Sequence, residues 1–289
     1  MRPLFGILIL LLATGPVFGQ RAVLLKGSAK FFWPRSAGEI SPANKIGVQD
    51  IELFVNSLLE NVAGPHVKIQ EFRFAPLEKT KIHLVATGDF SGRSLYFMIL
   101  LLSPENGTFR YFEIPSADPH FLPRELIGID GDGIYELLAK DLVGGYEGAE
   151  THPIYWYSIL RVSDGNLVDV SREFPDFYRI TVLPEVGFMT NWIFPLQKEG
   201  ELYTEFLAEY RFVYLKTQRK VFGDGKAGLK EAMSWGESGN HRLQLLAINT
   251  LKEIDDPMSV SQLRKMAGLT DLRSADCAKN ALAEMTENK

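Results

Sequence analysis

The spacing of apolar residues changes several times along this chain, and each change predicts a different element. Leu4–Ala13 (LFGILILLLA) is a nearly unbroken apolar run behind Met1 and Arg2, closed by Thr14-Gly15-Pro16. Val23-Leu24-Leu25 has the look of a short strand. Between Asp50 and Val62 the apolar residues Ile51, Phe54, Val55, Leu58, Leu59 and Val62 recur every three to four positions, which predicts a helix with Asp50 at its start. From Val67 to Val170 short apolar runs are broken by Gly, Asp, Asn and Pro, predicting strands near 67–74, 81–87, 95–102, 109–114, 125–129, 136–141, 154–162 and 167–170. Beyond Pro175 the pattern shifts again. Glu201–Phe222 has no Gly or Pro and predicts a long helix with an aromatic stripe at Tyr203, Phe206, Tyr210 and Tyr214, read as core packing. Gly223-Asp224-Gly225 ends it, and the chain stays helical in pattern to Met285.

The first run has the layout of a secretory signal peptide: a positive start, about ten apolar residues, then small residues, with cleavage expected after Gly19. About ten apolar residues are too few to cross roughly 30 Å of hydrocarbon, so no stable membrane anchor is expected after cleavage. The expected location is periplasmic or extracellular. Loss of Arg2 takes the 31 basic residues to 30 against 36 acidic ones, so the mature chain would carry −6. Asn106-Gly107-Thr108 is a glycosylation acceptor if the host is eukaryotic.

Composition narrows the classes further. With 46% hydrophobic and 23% charged residues in 289, wholesale disorder and a coiled-coil rod are excluded. The net charge of −5 argues against a nucleic-acid partner held by phosphate attraction. The single cysteine, Cys277, allows neither an intrachain disulfide nor a cysteine metal cluster.

Two internal repeats carry most of the information. Arg242, Ala247, Leu251 and Ile254 reappear 31 positions later as Arg273, Ala278, Leu282 and Met285, with Asp255-Asp256-Pro257 and an amphipathic stretch at 260–266 between them. A small Ala lets helices approach closely, Leu with Ile or Met fills the space between them, and Arg near a helix start can meet acidic loop residues. This spacing resembles the short HEAT-repeat family of helical hairpins over about 228–285. Two repeats are a minimal stack, expected to lean on the 201–222 helix.

The second repeat lies in the strand region. Gly128-Ile129-Asp130-Gly131-Asp132-Gly133-Ile134-Tyr135-Glu136-Leu137 runs into a strand, and 39 positions earlier Asp89–Tyr96 occupies the same place. Asp164-Gly165-Asn166 predicts a hairpin turn nearby. These turns resemble the FG-GAP and VCBS repeats of exported proteins, over about 81–171. That resemblance implies propeller-blade-like units and calcium in the acidic turn. Two units are too few to close a propeller. Calcium takes six to eight oxygens, often from alternate loop positions around a sharp bend. With Gly133 at the bend, the expected donors are Asp130, Asp132, the Ile134 carbonyl and Glu136, while Gly128 offers no side chain. In the earlier copy Arg93 puts a cation where an acid is wanted. The alternative for Asp130 and Asp132 is a turn held by side-chain to backbone hydrogen bonds.

Other chemistry is sparse. The five histidines, His66, His83, His120, His152 and His241, show no helical metal spacing, and no Gly-x-Ser-x-Gly elbow occurs. In Tyr155-Trp156-Tyr157, Trp156 falls on the opposite strand face from the two tyrosines, suiting either a stacking surface or a packed core. The expected organisation is a signal peptide (1–19), an N-terminal segment without a clear pattern (20–65), a β-rich FG-GAP/VCBS-like module (66–175) and an α-helical HEAT-like part (176–289). The fold class is α+β: an antiparallel β module of two blade-like units, not a closed propeller, followed by helices. The expected function is an exported, non-catalytic protein-interaction module with a protein partner and one candidate calcium turn. The alternatives are an extracytoplasmic hydrolase acting on a polymer and a purely structural envelope module.

Overall fold

The computed structural model describes residues 23–27, 33–34, 46–59, 66–90, 96–116, 126–143, 154–190 and 201–287. The signal-peptide run, the Gly19 cut and most of the 89–96 turn therefore lie outside the described residues. The chain divides into two compact units, Met1–Asp141 with Tyr157–Val170, and Leu142–Trp156 with Ser171–Lys289. Antiparallel sheets form the first and C-terminal helices dominate the second. The fold is α+β, and neither sheet closes on itself.

Nine strands are described, and but for Leu142, Tyr155 and Trp156 they lie in the first unit: β1 (Val23–Lys26), β2 (Val67–Glu78), β3 (Lys81–Phe90), β4 (Tyr96–Leu101), β5 (Thr108–Ser116), β6 (Leu126–Ile127), β7 (Glu136–Leu142), β8 (Tyr155–Ser163) and β9 (Asn166–Asp169). They form a five-stranded sheet in the order β1-β5-β4-β3-β2 and a four-stranded sheet in the order β6-β7-β8-β9. Strand alternation explains how the larger sheet is covered on both faces. One face presents Ile82, Leu84, Ala86, Ile99, Leu101 and Phe109 to the helix α1 (Val48–Leu59), which buries Ile51, Val55 and Leu58. The other presents Val85, Met98, Leu100, Phe112 and Ile114 to Leu137, Ala139, Leu160, Val162 and Leu167 of the smaller sheet. The two meanders thus pack face to face. Each fully buried aliphatic side chain contributes about 1.5–3 kcal/mol, so these two layers dominate the stability of the unit.

The strand at Val23–Lys26 and the helix at Val48–Leu59 come from the N-terminal segment and belong to this unit. Strand β1 pairs with β5. Helix α1 also covers the exposed edge of β2. The Asn56 amide donates to the Val67 carbonyl (2.8 Å) and accepts from the Val67 N–H (2.9 Å). Glu52 accepts from the Ile69 N–H at 2.9 Å.

The second unit begins its helices with α2 (Pro175–Phe177), a π turn (Tyr178–Val182) and α3 (Leu183–Phe188). Trp156 is buried here and stacks on Tyr178, their ring centroids 5.5 Å apart. It fills a core and is not an open stacking platform. Beyond the long helix α4 (Glu201–Lys220) come α5 (Leu229–Gly236), α6 (His241–Leu251), α7 (Pro257–Met266) and α8 (Leu272–Glu287). Helices α5 and α6 form one hairpin and α7 and α8 another, with α5 against α7 and α6 against α8. Helix α4 lies against α6.

Some positions 31 residues apart have like surroundings and others do not: Leu251 and Ile254 are buried, whereas Leu282 and Met285 are half-buried. Ala247 and Ala278 are both fully buried in one cluster with Leu251, Leu263 and Met266. The N-terminal caps keep the same offset: Asn240 accepts from the Leu243 N–H and Asp271 from the Ser274 N–H, both at 3.1 Å. Such caps are worth about 1 kcal/mol each. The arginines diverge. Arg242 is largely buried against Glu205 and Glu209 of α4, not against a loop, whereas Arg273 is exposed. Of the aromatic stripe on α4, Tyr210 is buried, Phe206 lies beside the Arg242 guanidinium and Tyr214 beside that of Arg211; the Tyr203 side chain lies outside the described residues.

Candidate functional site

The acidic turn leads from β6 into β7, and its side chains fold back on its own backbone. Asp130 accepts from the Asp132 N–H (3.2 Å) and Asp132 from the Ile134 N–H (2.8 Å). These are the side-chain to backbone bonds of Asx turns. Gly131 and Gly133 take positive φ, 74° and 85°. The Ile134 carbonyl lies beside Gly128, and the Tyr135 N–H donates to Pro76 of β2 at 2.9 Å.

The fourth expected donor, Glu136, is fully buried at the first position of β7. Its Oε1 accepts from Arg161 Nη2 (2.8 Å) and Nε (3.2 Å), and its Oε2 accepts from the Ile129 N–H (3.4 Å). The same guanidinium reaches Asp130 at 3.3 Å. Asp130 and Glu136 are therefore brought together, but around a cation supplied by β8. Asp132 is exposed and turned to its own backbone. The guanidinium sits where the two carboxylates converge and engages one oxygen of each, so two of the four expected calcium donors are paired with a cation already present. The described residues contain no group of three His, Cys, Asp or Glu side chains that could hold a metal. Arg161, not the acidic residues of the turn alone, decides the chemistry here. Its signal was a lone cation inside the apolar strand 155–163.

Four further polar clusters turn to their own ion partners or backbone. In the first unit, buried His83 accepts from the Ser103 N–H at Nδ1 (2.9 Å), so its proton sits on Nε2, 3.3 Å from Glu78. Burial lowers His83 to about 4 despite the attraction of Glu78. In the second unit, burial pushes Glu253 up, but Lys216, Lys220 and Arg219 around it hold it below the usual carboxylate range. Arg219 lies 2.9 Å from it and also donates to the Ala227 carbonyl.

The third cluster joins α4 to α6. Glu205 accepts from Asn240 Nδ2 (2.6 Å) and from Arg242 Nη1 (3.1 Å). Glu209, one turn further along α4, is 1% exposed. Its Oε1 lies 2.5 Å from Arg242 Nε, without the alignment of a hydrogen bond. Burial raises Glu209 to about 7, Arg242 pulling down and Glu205 pushing up.

His241, Asp271 and Ser274 are the residue types of a hydrolase relay, yet they form a structural cap. Asp271 Oδ2 and Ser274 Oγ both lie 2.8 Å from the same nitrogen, Nδ1, and Ser274 is fully buried. A relay needs the two on opposite ring nitrogens and an accessible hydroxyl. The Ser274 hydroxyl and N–H, with His241 helping, hold Asp271 down at about 2.

Comparison with known proteins gives no match to a family model, a curated protein or a solved structure. Among the described residues, no helix is long and apolar enough to cross a membrane.

Proposed function

We propose that this chain is an exported, non-catalytic module that engages a protein partner through its helical part. The observation that carries the reading is an apolar strip on the run Pro175–Phe188. Ile180 is 75% exposed and Phe188 56%, with exposed Pro184 between them at four-residue spacing. Apolar residues exposed along one face are the raw material of an interaction surface. The HEAT-like hairpins that follow supply a rigid support of the sort used for protein recognition. The signal-peptide-like start supports an extracytoplasmic location. The hydrolase alternative has less behind it, since the charged clusters described above face their own ion partners and backbone, not a shared cleft. Calcium is no part of this proposal, Arg161 being the cation of the acidic turn.

The test is site-specific photo-crosslinking from Pro184 in the extracytoplasmic compartment of the native host. A discrete adduct with another protein is expected. The Ile180→Ser, Phe188→Ser double variant should lose it while keeping the wild-type circular dichroism. An adduct unchanged in the double variant, or no adduct from the wild type, overturns the reading.

A further inference from the structure

The joint between α4 and the first hairpin has an uneven charge balance. Two carboxylates one turn apart on α4, Glu205 and Glu209, face a single guanidinium, that of Arg242 near the start of α6. If all three are ionised, one negative charge in excess is enclosed at a helix interface. Hydrogen bonding shows which carboxylate carries the excess. Glu205 is satisfied by Asn240 and Arg242 and keeps 16% of its side chain in solvent. Glu209 is 1% exposed and its Oε1 has no hydrogen-bond partner among the described residues.

We propose that Glu209 is a proton-operated latch: protonated, it lets α4 seat against the α5–α6 hairpin, and ionised, it loosens that joint. The proton comes from and returns to water, and no other bond changes. The groups around Glu209 are few. From α4 itself, Glu205 repels its charge, and from α6, Arg242 attracts it. On α5, Glu231 is engaged with Arg211 of α4 at 2.8 Å. On α3, the single charged side chain is the exposed Glu185. No second cation among these offsets the excess.

The direction follows from linkage. Glu209 in the folded protein titrates near 7, against 4.5 for an unperturbed glutamate. A raised folded value means that its stabilisation is complete below about pH 4.5 and is lost as the pH rises through 7. The α4–hairpin joint is therefore expected to be tight in mild acid and loose in mild alkali.

Two measurements on the full chain test this. The first is the thermal midpoint of wild type and Glu209→Gln from pH 5 to 8.5. The wild type should fall by several degrees toward pH 8.5, and E209Q, which keeps the shape without the charge, should stay flat and be the more stable at the alkaline end. E209Q tracking the wild type would overturn the proposal. The second holds even if E209Q does not fold: a carbon-13 titration of the glutamate carboxyl groups, with Glu205→Gln for assignment. One glutamate titrating near neutrality, moved lower by E205Q, supports the latch. All glutamates titrating below pH 5 would end it. Hydrogen exchange along Glu201–Lys220, corrected for intrinsic rates, should quicken from pH 6 to 8.5 in the wild type and not in E209Q.

Discussion

Each unit contains a guanidinium shared by two carboxylates, and the two arrangements behave differently. In the β unit, Arg161 makes aligned hydrogen bonds to Glu136 and also reaches Asp130, which is 38% exposed. There the buried carboxylate is satisfied and the second charge is left to water. In the helical unit, Arg242 hydrogen-bonds the partly exposed Glu205 and meets the buried Glu209 in a close but poorly aligned ion pair. The formal charges are identical. What decides between a permanent anchor and a titrating site is which carboxylate is buried and whether its oxygens are met by N–H groups.

The sharpest way to break this comparison is to remove the first anchor. Arg161→Ala strands fully buried Glu136 and should cost about 3 kcal/mol, the lower end for an unpaired buried charge because the Asp130 half is solvated. Urea unfolding of the β unit measures it. Wild-type melting should meanwhile be indifferent to millimolar calcium and to chelator, and a calcium-dependent rise would mean that Arg161 is not the cation of the turn.

A second contrast is in pH. The β unit carries an acid-sensitive group where the helical unit carries an alkali-sensitive one. His83 titrates at about 4 when folded against 6.5 when unperturbed. Its depressed folded value means that its contribution is present above pH 6.5 and is lost as the pH falls toward 4, by up to about 3 kcal/mol. Denaturant midpoints at pH 7 and 4 for wild type and His83→Gln should show this arm shrink in the variant.

The smallest effect concerns packing. Ala247→Leu and Ala278→Leu each overfill the hairpin stack and should cost about 1–3 kcal/mol by thermal unfolding. Equal costs would mean that both repeats pack alike, and wild-type stability in both would show that the 31-residue spacing is not a packing repeat.

Much of the architecture was legible because local pattern dictates it. Alternation in Ile82-His83-Leu84-Val85-Ala86 sends residues to opposite faces, and both faces of that sheet are covered. The helices that carry the 31-residue spacing, α6 and α8, lie against each other. The sites were harder. Asp130, Asp132 and Glu136 were found as a group, but their chemistry depends on Arg161, which reaches them from β8 after a long connection. No local spacing encodes such a partner. The Glu205–Glu209 pair is hidden for another reason. The aromatic stripe dominates the pattern of the long helix, and Glu209 stands next to buried Tyr210 on the covered side, where a charge is least expected.

The side chains of α1 along β2 have a consequence for how copies of this protein behave together. A strand at the rim of a sheet offers its backbone to any passing chain, and sheets grow into fibrils that way. Here Asn56 engages both backbone groups of Val67, and Glu52 engages the N–H of Ile69. At this end of β2 the backbone groups that a second chain would need are therefore already taken by the two polar side chains of α1.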